Sequence, residues 1–172
     1  MSAQIRLFKK SVVDIDYSVN ITVTDSVATD TGESIADYMR NRKNTTSWVT
    51  TNSSDSGNTT VTVDWISARD IDNIILVKHN FKSYTIQYWN GSSYVDFSTV
   101  INPTTDTSET IRYSFNSVST SRIQIVVNST QTTDDDKRLA QLIVCEELGQ
   151  FDGWPVVGKP TVSQNKQVTR ML

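Results

Sequence analysis

Few of the side chains that carry enzyme chemistry are present in this sequence. Its 172 residues include one histidine, His79, and one cysteine, Cys145. An enzyme needs groups that transfer protons, act as nucleophiles or hold a metal, and the sequence has no glycine-rich phosphate loop, paired-cysteine motif or His-Glu zinc spacing. His79 follows a strand-like run, where an imidazole more often bonds to a loop than acts as a base. We predict a protein that is not an enzyme and uses no cofactor.

The lack of paired cysteines and of long apolar runs narrows the class of protein further. A single cysteine cannot form an internal disulfide, and Cys145 lies in an apolar run, where a free thiol is usually buried. No run approaches the roughly 18 apolar residues of a membrane-spanning helix. Lys9 and Lys10 follow only a few apolar residues, which is unlike a secretory signal. We expect a protein that is made in a cytoplasm and has no membrane partner.

What the sequence does contain is a series of short strand-like runs. They are rich in β-branched and aromatic residues and are separated by asparagine, glycine, serine, aspartate and proline. The runs are residues 60–65, 71–77, 84–89, 110–115, 122–127 and 139–145. This punctuation predicts an antiparallel sandwich or barrel.

Two local signals add detail to the predicted sheet. Asn90-Gly91 after the run 84–89 indicates a two-residue type I′ turn, which needs positive φ at both central positions. Tyr94 then begins the returning strand. The segment 41–58 is polar apart from Trp48 and Val49, so we predict a long loop that Trp48 anchors in the core.

The two ends of the chain differ from the middle. Weak alternation in residues 1–30 favours one or two strands, and residues 31–40 begin with a capping residue and end with a base, which favours a short helical turn. Two prolines and three glycines within residues 149–160 favour an extended arm rather than a sheet strand. We therefore divide the chain into an N-terminal region (1–30), a sandwich (31–148) and a C-terminal arm (149–172).

Charge is unevenly placed along the chain. The net charge is -3, yet residues 1–12 and 153–172 together carry six basic side chains and no acid. Basic ends on an acidic body would attract the body of a neighbouring copy; the alternative of two solvated ends stays open. An acidic body repels phosphate, so no nucleic-acid partner is expected.

The order of these pieces resembles the discoidin-like, galactose-binding-like β-sandwich family. The resemblance covers roughly residues 34–147, without the flanking cysteines of many secreted members and with Tyr94 where a tryptophan is frequent. The matching pieces are Ser47-Trp48, Val61–Trp65, Ile71–Leu76, Tyr84–Tyr88, Asn90-Gly91, Tyr94, Ser121–Ile125 and Leu139–Val144. It implies a jelly-roll β-sandwich.

The segments outside the sandwich resemble additions found in virion proteins of tailed phages. This resemblance implies a noncatalytic structural protein of the tail or baseplate, located in the virion and bound to copies of itself and to other virion proteins. We expect the C-terminal arm to dock on a neighbour through an apolar cluster. Its members are Trp154, Pro155, Val156 and Val157.

The alternative hypothesis is a carbohydrate-binding module that attaches a particle or an enzyme to a glycan. Sugar sites combine an aromatic platform with directional polar groups, and the candidate residues are Trp48, Trp89 and Tyr94. A weaker candidate is calcium at Asp134 and Asp136, although the regular calcium-loop spacing is missing and a solvated acidic loop is the more ordinary interpretation.

Overall fold

Nine β-strands and a 3₁₀ helix make up the regular structure of the part of the chain that the computed structural model describes, residues 4–25 and 36–152. The 3₁₀ helix is Ala36–Arg40, inside the segment predicted to form a helical turn. The strands are β1 (Gln4–Phe8), β2 (Val19–Asp25), β3 (Trp48–Val49), β4 (Thr59–His79), β5 (Phe81–Trp89), β6 (Tyr94–Ile101), β7 (Thr110–Thr130), β8 (Arg138–Cys145) and β9 (Glu147–Asp152). No helix among these residues is long and apolar enough to cross a membrane.

Two 21-residue strands, β4 and β7, pass through both layers of the sandwich. The first half of β4 pairs with β2 and with the second half of β7, which continues to β5 and β6. The second half of β4 pairs with the first half of β7 and with β8, which pairs with β3. The paired strands are antiparallel throughout, which confirms the predicted antiparallel β-sandwich.

The sequence predicted four short strands where the structure has β4 and β7. Residues 66–70 lie between two of the predicted strands, but they remain in β4 as a fully exposed stretch, with a shift of register between Asp64 and Arg69. Irregular pairing of this kind bends a strand without ending it. One strand can therefore serve both layers, and polarity alone does not reveal its continuity.

The core lies between the layers and follows the two-residue period of the strands. Val61 and Val63 of β4 are buried opposite Ile125 and Ile123 of β7, while the residues between them face outward. Trp48 is 3% exposed and belongs to the same core cluster. The prediction that Trp48 anchors the loop 41–58 is confirmed.

The Asn90-Gly91 hairpin is present, but its loop is longer than predicted. Trp89 pairs with Tyr94, so four residues connect β5 to β6, and only Gly91 has positive φ, at 104°. The Asn90 side-chain oxygen accepts hydrogen bonds from the backbone N–H groups of Ser92 and Ser93 at 2.9 and 3.0 Å. A type I′ turn requires two residues with positive φ. Here the bonds to the Asn90 side chain stabilise the loop, and one such residue is enough.

Replacement of Gly91 by valine is expected to destabilise the fold by about 1–3 kcal/mol, because a β-branched residue is strained at positive φ. An added Cβ would meet nothing within 4 Å, so strain of the backbone is the expected cause. Thermal unfolding of Gly91→Val and Gly91→Asn measures the loss of stability in each variant. Asparagine tolerates positive φ better and should lose less; equal losses in the two variants would contradict the backbone explanation.

The two ends of the described chain form a sheet of their own. β1 pairs with β9, from Gln4 opposite Asp152 to Phe8 opposite Glu147. The expectation of an extended arm from residue 149 is therefore wrong for residues 149–152, which continue a strand across the predicted boundary. The glycine at 149 is tolerated there because the partner strand β1 supplies the backbone hydrogen bonds.

The basic side chains of the N-terminal segment pair within the chain. Arg6 binds Glu147 at 2.8 Å, and Lys9 binds Glu146 at 2.5 Å. Lys10 binds Asp16 at 2.5 Å. These charges are thus balanced by acids of the same molecule. The basic side chains of the N-terminal segment therefore give no reason to expect attraction to a neighbouring copy. The arm residues Trp154, Pro155, Val156 and Val157 lie outside the described residues.

Cys145 is a buried free cysteine at the end of β8, as predicted. Burial, followed by the charge of Asp72, raises the pKa of its thiol to about 11. Since the thiolate is the reactive form, we expect slow reaction of the folded protein with Ellman's reagent and fast reaction after unfolding in denaturant. Similar rates in both states would contradict burial of the thiol.

Candidate ligand-binding surface

Two aromatic side chains meet at the end of the β5–β6 hairpin. They lie on the outer face of the layer that β5 and β6 form with the second half of β7 and the first half of β4. The pairing of Trp89 with Tyr94 places their side chains on the same face of neighbouring strands. Their ring centroids are 5.2 Å apart and the ring planes are inclined by 68°. Both residues are partly exposed. They offer an amphipathic aromatic surface to a ligand.

A charged pair borders these rings. Arg122 of β7 pairs in register with Asp64 of β4, and its Nε donates a hydrogen bond to Asp64 Oδ2 at 2.7 Å. Its Nη2 bonds to the same oxygen. The guanidinium carbon lies 5.4 Å from the centre of the Trp89 ring. We call Asp64, Trp89, Tyr94 and Arg122 the aromatic site.

The ion pair with Asp64 keeps Arg122 positively charged at this site. The hydrogen bond from Arg122 to Asp64 raises the pKa of the arginine further above its ordinary value. The two side chains are about one-third exposed, at 36% and 32%. Arg122 therefore stays protonated, and its orientation above the Trp89 ring is held by a carboxylate partner.

Polar side chains continue from the aromatic site along the same face. Gln87 of β5 lies opposite Gln124 of β7 and opposite Asp96 of β6. Gln87 Nε2 donates to Asp96 Oδ1 at 2.9 Å. Together they add amide donors and acceptors beside an aromatic surface, a combination that suits a polar ligand with an apolar face, such as a sugar.

Buried groups hold the aromatic site in position from below. The indole N–H of Trp65 donates to the carbonyl of Thr120 at 2.9 Å, and the Thr120 hydroxyl donates to the carbonyl of Trp89 at 2.8 Å. Trp65 and Thr120 are both buried. Since these bonds fix the end of β5, the ring of Trp89 is presented by a rigid part of the sheet.

The structure brings together two of the three residues predicted for glycan binding. Trp89 and Tyr94 are neighbours at the aromatic site, whereas Trp48 is buried in the core and cannot stack on a sugar, so its inclusion was wrong. Sequence analysis missed Arg122 and Asp64 as members of the site. They are 58 residues apart, and the register of β4 against β7 is needed to see them as a pair.

The acids proposed for calcium instead hold two loops together. Asp134 Oδ1 accepts from the Asp55 N–H at 2.9 Å, and Asp136 Oδ1 accepts from the Ser53 N–H at 3.0 Å. Among residues 4–25 and 36–152, no group of three or more histidine, cysteine, aspartate or glutamate side chains could hold a metal ion. These carboxylates are therefore weaker metal candidates than the sequence indicated.

A buried lysine supplies positive charge at these loops. Lys137 is fully buried, and its Nζ donates to the carbonyls of Ser54 at 2.8 Å and Gly57 at 3.4 Å. A cation would be expected to bind carbonyl oxygens of this kind. Here the ammonium group of Lys137 binds these carbonyl oxygens in place of a metal ion.

His79 lies in the interior, away from the aromatic site. Its Nδ1 accepts a hydrogen bond from the N–H of Phe81, the first residue of β5, at 3.2 Å, so the imidazole bonds to a strand end rather than to the loop that was predicted. Burial lowers the pKa of the imidazole, and Asp106, with its oxygen 3.8 Å from Nε2, only partly opposes that effect. The imidazole is fully buried and therefore does not face a substrate.

No protein-family model matches this sequence, and no curated protein matches it. Solved structures do share its fold. Chitosan-binding module 1 from the chitosanase/glucanase of Paenibacillus sp. IK-5 is 19% identical, with a TM-score of 0.60, and the match covers 79% of this chain and 98% of that module. The Clostridium perfringens module CpGH89CBM32-5, in complex with GalNAc-beta-1,3-galactose, is 18% identical, with a TM-score of 0.55 and coverage of 72% and 94%.

Glycosidase chains also contain a similar domain. The Ruminococcus gnavus GH29 fucosidase in complex with fucose is 13% identical, with a TM-score of 0.61, and the match covers 80% of this chain but 26% of the fucosidase. At these identities the similarity establishes the shared fold. The chain has the galactose-binding-like β-sandwich fold of carbohydrate-binding modules.

Proposed function

We propose that this protein is a noncatalytic carbohydrate-binding module and that it binds glycans at the aromatic site. The observation that carries the proposal is the partly exposed Trp89–Tyr94 pair beside the Arg122–Asp64 ion pair. The apolar face of a pyranose ring packs on an aromatic ring, and its hydroxyl groups need both donors and acceptors. The guanidinium, the carboxylate and the amides of Gln87 and Gln124 provide both.

The solved structures that share the fold support this proposal. Two of them are described as binding chitosan or a galactose-containing disaccharide. The buried His79 and Cys145 argue against a catalytic role, because neither faces the aromatic site.

A structural role in a virion remains a second proposal with less support. None of the comparisons links the chain to virion proteins. Three basic residues of the N-terminal segment already have acidic partners in the same chain. Assembly with copies of itself and a location in the virion would depend on the C-terminal arm, whose proposed anchor lies outside the described residues.

A glycan array followed by calorimetry tests the carbohydrate-binding proposal. We expect the protein to bind at least one class of neutral glycan, and Trp89→Ala and Arg122→Ala to weaken that binding by roughly tenfold or more, the scale of losing a central contact. Arg138→Ala is the matched control, since Arg138 is exposed at the start of β8, a strand that contributes no residue to the aromatic site. Binding that survives Trp89→Ala and Arg122→Ala unchanged would overturn the site, and a protein that binds no glycan would overturn the function.

A further inference from the structure

A groove of about 530 Å³ lies where the N-terminal segment crosses the exposed bend of β4. This volume falls within the range of about 300–1,000 Å³ typical of small-molecule sites. The groove is lined by residues of four separate parts of the chain. They include Tyr17, Ile66, Ser67, Arg69, Asp70 and Ser119.

Several polar side chains of the groove have no partner elsewhere in the described structure. Arg69 and Asp70 are both exposed and have no ion pair or side-chain hydrogen bond with another described residue, and the same holds for the hydroxyls of Ser67 and Ser119. By contrast, Lys9 at the edge of the groove is already paired with Glu146. The unused groups thus include one cation, one anion and the hydroxyls of Ser67 and Ser119.

Apolar surface is exposed at the same place. Ile66 is 85% exposed although it belongs to a strand, and Tyr17 is 41% exposed. Lys10 Nζ lies 4.8 Å from the centre of the Tyr17 ring, which helps to hold the ring at the groove. A ligand that covered Ile66 and Tyr17 while bonding to Arg69 and Asp70 would bury apolar surface and satisfy polar groups together.

We propose that this groove is a second carbohydrate site, which takes one or two neutral sugar residues independently of the aromatic site. Sugar hydroxyls can donate to Asp70 and accept from Arg69, and the apolar face of the ring can pack on Tyr17 or Ile66. The balance of one free cation and one free anion favours a neutral sugar over an acidic one. The inference rests on the proposed glycan-binding function and adds a separate site to it.

The two sites share one end of the sandwich. Trp65 lines the groove and bonds to Thr120, which in turn bonds to the backbone of Trp89 at the aromatic site. Two weak sites on one rigid body can bind a multivalent glycan surface far more tightly than either alone. The module would then favour clustered glycans over free monosaccharides.

Chemical-shift mapping with galactose, N-acetylgalactosamine and fucose reports on each site separately. Amides of Ser67, Arg69 and Ser119 report on the groove, and those of Gln87, Trp89 and Gln124 report on the aromatic site. We expect at least one of these sugars to shift both sets. Arg69→Ala should weaken the groove response by roughly tenfold or more, as for the loss of a hydrogen bond to a charged group, and leave the aromatic-site response intact. Trp89→Ala should do the reverse, and Arg138→Ala should change neither.

Other outcomes overturn the inference in distinguishable ways. If only the aromatic set shifts, the proposed function stands and the second site is refuted. If galacturonic acid shifts the groove in a salt-sensitive manner while the three neutral sugars do not, the neutral-sugar specificity is refuted. If none of these sugars shifts either set and the glycan array is also negative, both the second site and the proposed function are refuted.

Discussion

Replacement of Lys137 by methionine is expected to lower the free energy of unfolding by about 2–4 kcal/mol, since two backbone carbonyls would each lose a charged donor. Lys137 is fully buried, and its ammonium group lies 2.8 Å from the Ser54 oxygen and 3.4 Å from the Gly57 oxygen. Methionine fills a similar volume but cannot donate. The Gly57 carbonyl would stay buried without that donor, or the loop 50–58 would open to water.

Urea unfolding of Lys137→Met, with Arg138→Met as the control, measures this effect. Arg138 is the next residue and is exposed, so its replacement should change stability by less than about 0.5 kcal/mol. The same experiment in calcium and in a chelator tests the sequence-derived metal candidate. Because the ammonium group already serves the loop carbonyls, we expect the wild-type midpoint to be the same in both. A Lys137→Met variant as stable as Arg138→Met would refute the role of the ammonium group.

The general architecture was predictable because it depends on local signals. The β-branched and aromatic content of the runs identified strands at nearly every place where the structure has one, and the polar turn at Asn90-Gly91 identified the hairpin. The joining of strands into β4 and β7 was not predictable. Residues 66–70 all face water and include Ser67, Arg69 and Asp70, and an exposed strand without alternating polarity resembles a loop in its composition.

The aromatic site was predictable only in part. Trp89 and Tyr94 flank a recognisable turn, so their closeness follows from the sequence. The pairing of Arg122 with Asp64 depends on the register between distant strands, which one sequence does not specify. Trp48 shows the opposite problem, since an isolated tryptophan in a polar loop is compatible with a sugar platform and with a core anchor. Only its burial decides between them.

The buried lysine and the groove were beyond the reach of sequence analysis. Lysine is almost never fully buried, so nothing in the sequence beside the acidic run 134–136 predicts the burial of Lys137. Its burial results from the way the loops 50–58 and 131–137 close over it, with Asp55 and Asp134 bonded across the gap. The groove likewise forms because the N-terminal segment folds back along β8, where the Val12 N–H bonds to the Val144 carbonyl at 2.8 Å.

Replacement of Tyr84 by phenylalanine is expected to destabilise the protein by about 2–4 kcal/mol at neutral pH, because a nearly buried carboxylate would lose a charge-assisted hydrogen bond. The Tyr84 hydroxyl donates to Asp106 Oδ2 at 2.6 Å, and the carboxylate of Asp106 is 5% exposed. The single proton of Tyr84 is used in this bond, so the Tyr113 hydroxyl, 2.7 Å away, donates to Tyr84. The substitution therefore removes the donor to Asp106 Oδ2, while the Ser108 N–H still donates to Oδ1 at 2.8 Å, and it takes away the acceptor of the Tyr113 hydroxyl.

The pH dependence of this loss distinguishes it from a simple packing defect. Burial raises the pKa of Asp106, but hydrogen bonds from Tyr84 and Ser108 and the nearby His79 outweigh burial, and the net shift is downward. A carboxyl whose pKa is lowered on folding contributes stability above its unfolded pKa and loses it as the pH falls through the folded pKa. Without the Tyr84 hydroxyl the folded pKa rises, so the deficit of Tyr84→Phe should be largest near neutral pH and should shrink as Asp106 becomes protonated in acid.

Chemical denaturation from about pH 7 down to about pH 3 follows the interval in which an aspartate gains its proton. Tyr38→Phe is the control, since the Tyr38 hydroxyl has no hydrogen bond to another described residue, and its stability should follow the wild type at every pH. A Tyr84→Phe deficit that stays constant over this interval would show that the lost hydroxyl acts through packing or through Tyr113. A deficit that narrows toward acid pH would identify the carboxylate of Asp106 as the group that the Tyr84 hydroxyl stabilises.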